Sequence, residues 1–250
     1  GFPIREYDDK IPSSLTAEQI LIRSGNIGSV RIGQKLGEEK FKLFLSKIGI
    51  LDKIQFDIEE VGSPIKFNWG KCPLATASFG HGITTTLLQL AKAYSIITNG
   101  GYDIRPNLVK EDTAKERKRI LSDNVSEKIL PILRKIVLSK EGTASLANVE
   151  GYEIGGKTGT ANKSISGEYS NKKINTFVSV FPISKPKFVL AVMLDEPKIN
   201  ESYIYEYRDG SNFKLKGSPR NTAGWNSVEV SGHIVEKIGP ILATKYSEVN

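Results

Sequence analysis

Two short apolar runs around a proline-bounded turn limit what this chain of 250 residues can fold into. Asn175–Phe181 (Asn-Thr-Phe-Val-Ser-Val-Phe) and Phe188–Leu194 (Phe-Val-Leu-Ala-Val-Met-Leu) are β-branched and aromatic, and Pro182-Ile-Ser-Lys-Pro186 between them is a hairpin signal. Tyr152–Thr160 supplies a strand before them, giving three consecutive antiparallel strands. A helix closes this part. Val228, Val230, Ile234, Val235, Ile238 and Ile241 form a stripe from Trp225 to Leu242, and Gly239-Pro240 is expected to kink or end it early. Between strands and helix, Lys198–Asn221 is polar, tyrosine-rich and aperiodic, which reads as a long loop.

Residues 15–150 read as mostly helical, so the fold class is α+β. Thr16-Ala-Glu-Gln19 is a capping box that opens a helix. The helix breaks at Ser24-Gly25-Asn26, and Ile27, Val30, Ile32 and Leu36 resume the stripe up to Gly37. Such a polar turn either points Ser24 and Asn26 into a cleft or merely connects two helices, and spacing alone favours the connector. A short amphipathic helix follows over Glu38–Ile50, then a loop-like stretch over Leu51–Thr76. Leu87, Leu90, Ala91, Tyr94 and Ile97 mark the best-defined helix, stopping at Asn99-Gly100-Gly101. Ile104–Lys110 reads as extended, and Ile129, Leu133, Ile136 and Val137 mark a last helix with Pro131 in its opening turns.

Charge sets few limits. The net charge of +7 would suit an anionic partner, but the lysines alternate with Asp and Glu and no aromatic ladder accompanies them, so no nucleic-acid binding is expected. Cys72 is the one cysteine, which excludes an intrachain disulfide. His81 and His233 lack companions at ligand spacing, so no metal and no cofactor are expected, and His81 reads as structural. No apolar run approaches the ~20 residues of a membrane span.

Gly151-Tyr-Glu-Ile-Gly-Gly-Lys-Thr-Gly-Thr-Ala161 carries the chemistry. Gly151–Thr158 fits the phosphate-loop pattern G-x-x-x-x-G-K-[ST], and Lys157-Thr158-Gly159 fits the K-T-G signature of penicillin-recognising acyl-serine enzymes. A phosphate loop needs a helix starting at the Lys-Thr, its amides facing the phosphates. The glycine- and serine-rich Gly159–Gly167 is a poor helix start. K-T-G instead needs a strand of small residues along which a substrate backbone can lie, with the Lys157 cation and the Thr158 and Thr160 hydroxyls addressing a carboxylate and Gly159 leaving room.

The ordered run of Gly80-His-Gly-Ile-Thr-Thr-Thr-Leu-Leu-Gln-Leu-Ala-Lys-Ala-Tyr94, Glu141-Gly-Thr-Ala144, Gly155–Ala161, Asp195-Glu-Pro197 and Thr222-Ala-Gly-Trp225 resembles the transpeptidase domain of class B penicillin-binding proteins. The likeness is nearest to the septal, cell-division D,D-transpeptidase of Gram-negative bacteria. It implies a penicillin-binding/β-lactamase-like fold: an antiparallel five-stranded sheet flanked by helices, with a helical subdomain. Residues 1–250 would then be a single transpeptidase domain, and 151–242 would hold three of those strands plus the C-terminal helix. The resemblance reverses the connector reading of Ser24-Gly25-Asn26, which matches the family's S-x-N motif. It implies that Ser24 relays a proton to the leaving amine and Asn26 holds the donor peptide's amide. Lys157 would support both the relay and the substrate carboxylate, Thr158 and Thr160 would complete the carboxylate site, and the Thr160 amide would serve the oxyanion.

The family's acylating serine lies in an S-x-x-K motif well upstream of S-x-N, whereas 23 residues precede Ser24 here. The nucleophile is therefore expected outside an N-terminally truncated chain, with the fragment inactive alone. Ser63-Pro-Ile-Lys66, Ser170-Asn-Lys-Lys173, Ser184-Lys-Pro-Lys187 and Ser211-Asn-Phe-Lys214 match in letters only, since the motif needs a helix start, where i and i+3 share a face. The resemblance further implies peptidoglycan stem peptides, β-lactams, a septal glycosyltransferase and other division proteins as partners, at the periplasmic face of the inner membrane through an upstream anchor. A non-catalytic penicillin- or peptide-binding sensor is the alternative reading, and a nucleotide-binding protein the second.

Overall fold

The computed structural model describes residues 3–56, 58, 68–109, 117–165, 168–217 and 220–247. Two compact units divide the chain, Gly1–Leu130 and Pro131–Asn250.

In the first unit, α1 (Ala17–Arg23) opens with the expected capping box, both reciprocal bonds being present. α2 (Asn26–Leu36) follows after Ser24 and Gly25 and ends at Gly37, whose φ of 84° suits glycine. α3 (Glu38–Lys47) packs through Phe44 and Leu45 against a core of Ile48, Ile50, Ala93 and Ile96. That core includes α5 (Leu87–Thr98), where a second capping box, Thr86 with Gln89, escaped the sequence reading. Gln89 is fully buried, and its Nε2 donates to the carbonyls of Gly49, Ile50 and Asp52, stapling the turn after α3 to α5.

The loop-like reading of Leu51–Thr76 is corrected at its end, where α4 (Lys71–Ala77) forms and buries Leu74, Ala75 and Ala77. Pro73 suggested a breaker there, but it stands in the first turn, whose amides have no helical acceptor to lose. Ser63–Lys66 lies outside the described residues. Ile104–Val109 joins no strand, an isolated bridge between Tyr102 and Arg119 being the pairing nearby.

Leading into the second unit, α6 (Asp123–Leu138) starts earlier than its apolar stripe, which puts Pro131 inside the helix instead of near its start. The chain then passes through a 3-10 turn (Ser145–Ala147) into β1 (Gly155–Ile165), β2 (Glu168–Phe181) and β3 (Phe188–Asp195). These make an antiparallel sheet in the order β1-β2-β3, with Gly155 opposite Val180 and Phe181 opposite Phe188. β1 starts later than expected because Gly151 takes a φ of 81° and Tyr152 and Ile154 bond within the turn. The β1-β2 arm is longer than read, since its outer residues are polar and carry no apolar alternation. Phe177, Val178, Val180 and Phe181 are all buried, as a central strand covered on both faces requires, and α7 (Ser227–Ser247) packs against β2 and β3.

Two further readings are corrected. Lys198–Asn221 is not structureless: β4 (Ile204–Glu206) and β5 (Lys214–Lys216) pair antiparallel within it, and these strands of three residues are too short to show a period. α7 runs through Pro240 to Ser247, so of the kink or early end expected at Gly239-Pro240 the early end does not occur. Beyond the proline, the Tyr246 ring packs edge-on against Phe188 of β3 with centroids 5.3 Å apart, a contact that offsets the one backbone bond proline removes.

Candidate active site

The site residues fall into both units. In the first, Ser24 is the left-handed C-cap of α1 (φ 58°), an uncommon conformation for serine that costs about 1 kcal/mol. Gly25 N donates to Ile20 O at 2.9 Å and closes the helix end. Gly25 then caps α2 without a side chain, and Glu6 supplies the missing acceptors. Its carboxylate takes the amides of Asn26 (2.6 Å) and Ile27 (3.0 Å), while Asn26 Nδ2 donates to Arg5 O at 2.9 Å. The extended segment before α1 thus builds the Ser24–Asn26 turn. Glu6 had no local signal, because its partners lie twenty residues away.

In the second unit, β1 has β2 as its sheet partner among the described residues, so its outer edge presents backbone donors and acceptors to a ligand. Strand alternation puts Thr158 and Thr160 on one face and Lys157 and Gly159 on the other. Lys157 Nζ donates to Thr158 O at 3.0 Å, and burial of the ammonium lowers its pKa to about 8. A Cβ on Gly156 would strike Val178 O at 2.5 Å and the Phe177 ring at 2.7 Å, so packing demands that glycine. Gly159 differs: a Cβ there would meet nothing closer than Thr176 O at 4.0 Å, and its absence leaves open space.

Both threonine hydroxyls are held from behind. Thr160 Oγ1 accepts from Ala223 N at 3.0 Å, and Thr158 Oγ1 lies 2.7 Å from Thr143 Oγ1. Ala223 belongs to a 3-10 turn (Ala223–Trp225) that Asn221 secures through Asn175, the residue paired with Thr160 on β2. The sequence reading assigned no task to Thr143 or Ala223, although both lie in runs that carried the family resemblance.

No helix begins at Thr158, which removes the phosphate-loop reading: the segment is strand through Ile165. Ser170–Lys173 is likewise strand, where i and i+3 point to opposite faces, and Ser184–Lys187 and Ser211–Lys214 lie at the β2-β3 and β4-β5 turns. His81 rests 4.9 Å from the Phe79 ring, with its pKa lowered by burial. Among the described residues no cluster of His, Cys, Asp or Glu could hold a metal, and no helix is long and apolar enough to cross a membrane.

An antiparallel sheet with helices, bearing K-T-G-T on an edge strand whose two threonine hydroxyls each have a hydrogen-bond partner behind them, defines the penicillin-recognising class. Residues 2–212 match the penicillin binding protein transpeptidase domain, and the chain belongs to that family. It is 28% identical over 243 residues to the "Probable peptidoglycan D,D-transpeptidase FtsI" of Caulobacter vibrioides, covering 92% of this chain and 39% of that protein. To the "Probable peptidoglycan D,D-transpeptidase PenA" of Neisseria meningitidis it is 31% identical over 205 residues, covering 80% of this chain and 35% of the relative. The chain therefore spans well under half the length of these relatives. Among solved structures, the apo transpeptidase domain of penicillin-binding protein 3 from Burkholderia pseudomallei superposes with a TM-score of 0.76 at 26% identity, over 91% of this chain and 65% of that one.

Proposed function

We propose that the protein containing this chain is a peptidoglycan D,D-transpeptidase of the septal type, crosslinking stem peptides through an acyl-serine intermediate and inhibited by β-lactams. The observation that carries this is the K-T-G-T strand: an open sheet edge, two hydroxyls on one face each with a hydrogen-bond partner, a lysine of lowered pKa at the preceding position and space above Gly159. The substrate backbone lies along the β1 edge, and its terminal carboxylate accepts hydrogen bonds from the hydroxyls of Thr158 and Thr160. A serine oxygen attacks the carbonyl next to the terminal D-residue, which leaves as an amine carrying a proton. An acceptor amine then attacks the acyl-serine and releases the serine with its proton restored.

In this reading Ser24 passes the proton to the leaving amine, Asn26 holds the donor peptide's amide, and Lys157 supports the relay and the carboxylate's field. The Thr160 amide donates to the oxyanion. Septal glycosyltransferase and other division proteins are the proposed partners, at the periplasmic face of the inner membrane. Fluorescent penicillin tests the assignment: the full-length protein takes covalent label that unlabelled penicillin blocks, and failure to label rejects it.

A further inference from the structure

We infer that Thr143 is a positioning residue that sets the direction of the Thr158 hydroxyl and so governs selection for substrates ending in a free carboxylate. The inference rests on the functional reading above and assigns a task to a side chain outside the K-T-G-T strand.

Each threonine hydroxyl has one proton to give. At Thr160 the direction is fixed, because its neighbour, the Ala223 amide, can only donate. Thr160 Oγ1 is the acceptor, and its own proton is left for a ligand. At Thr158 the neighbour is another hydroxyl, 2.7 Å away, and either oxygen could donate. If Thr158 donated to Thr143, it would turn only lone pairs toward the ligand site and repel a carboxylate. With Thr143 donating, Thr158 matches Thr160: one bond received from behind and one proton offered forward. A bound carboxylate selects this arrangement, since it supplies acceptors alone.

The backbone holds Thr143 where this demands. A Cβ on Gly142 would strike Ile136 O at 2.1 Å, and one on Gly224 would strike Thr143 O at 2.7 Å. Ala144 N also donates to Ile136 O, and Ala144 is fully buried. Thr143 is thereby clamped between the end of α6 and the 3-10 turn that carries Ala223, so both hydroxyls of the carboxylate site are oriented by one packed assembly. A packing role for Thr143 would need only its methyl group. An orienting role needs its oxygen.

Thr143→Val keeps the shape and removes the oxygen, and Thr143→Ser keeps the oxygen and removes the methyl. In the full-length protein, acylation is followed with an N-acyl-D-alanyl thioester ending in a carboxylate and with its methyl ester, and the ratio of their second-order rate constants is compared. We expect Thr143→Val to lower the preference for the carboxylate about three- to tenfold, the range for loss of one oriented hydrogen bond, and Thr143→Ser to retain it. An unchanged ratio in Thr143→Val, whether or not both rates fall together, overturns the inference and leaves the functional reading standing. So does an equal loss of preference in Thr143→Ser. If the unsubstituted protein is acylated by neither thioester, the functional reading falls and the inference with it.

Discussion

Replacing Glu6 tests how the Ser24–Asn26 turn is built. α2 begins without a side-chain cap of its own, and the Glu6 carboxylate fills that place with two oxygens on two consecutive amides, at 2.6 and 3.0 Å. A lost side-chain cap costs about 1 kcal/mol, and a lost negative charge at a helix N-terminus about 0.3–1 kcal/mol. The second amide is exposed and can turn to water, so Glu6→Ala should cost about 1–2 kcal/mol in all. In a unit of this size, that corresponds to a fall in melting temperature of roughly 2–8 °C. Glu6→Gln should recover little: a carboxamide has one acceptor oxygen, and its NH2 would face the other backbone N–H. The assay is calorimetry of the full-length protein and both variants, alongside the rate of penicillin acylation, which should fall in parallel because Asn26 shares the turn. A melting temperature within 1 °C of the parent for Glu6→Ala would refute the capping argument.

Other perturbations have outcomes of different kinds. Gln89→Leu strands three carbonyls that share one donor in the core, so denaturant unfolding should show a loss of about 3–5 kcal/mol; a loss under 1 kcal/mol would mean that water replaces the amide. Lys157 gives opposite pH trends for binding and stability. Its folded pKa of about 8 lies below its unfolded value of 10.5, so the buried ammonium costs stability below pH 8, by about 3 kcal/mol, and the cost disappears as pH rises to 10.5. Acylation by a carboxylate-bearing penicillin should instead fall tenfold per unit above pH 8 as the cation is lost. In Lys157→Arg that alkaline limb should vanish, and its persistence would assign the titration to another group. Gly159→Ala should fold normally, given its open surroundings, yet slow acylation at least tenfold; Gly156→Ala, which strikes Val178 O and the Phe177 ring, should lose stability first.

Local chemistry made much of the fold legible. The Thr16–Gln19 capping box, the proline-bounded turn before Phe188 and the stripe of α5 each state their structure within a few residues, and each is where the sequence placed it. Pro73 and Pro240 misled because proline reports a local cost, while its place in the first turn, or packing elsewhere on the helix, decides whether that cost is met. The β4-β5 hairpin was hidden by strands too short to show a period. Within the site, the K-T-G-T strand was readable because no helix start follows Thr158, which left a strand of small residues and not a phosphate loop. Glu6, Thr143 and the Ala223 amide were not, since each acts across a sequence separation that no spacing rule spans: twenty residues for Glu6, fifteen for Thr143 and sixty-three for Ala223.

The central claim is turnover, which separates a transpeptidase from a module that only holds penicillin or peptide. The full-length protein, given donor stem peptides and an acceptor amine, should form crosslinked dimer with one terminal D-amino acid released per crosslink, and penicillin should abolish both. Covalent penicillin labelling with no dimer formed under the same conditions would contradict the account and leave a sensor in its place.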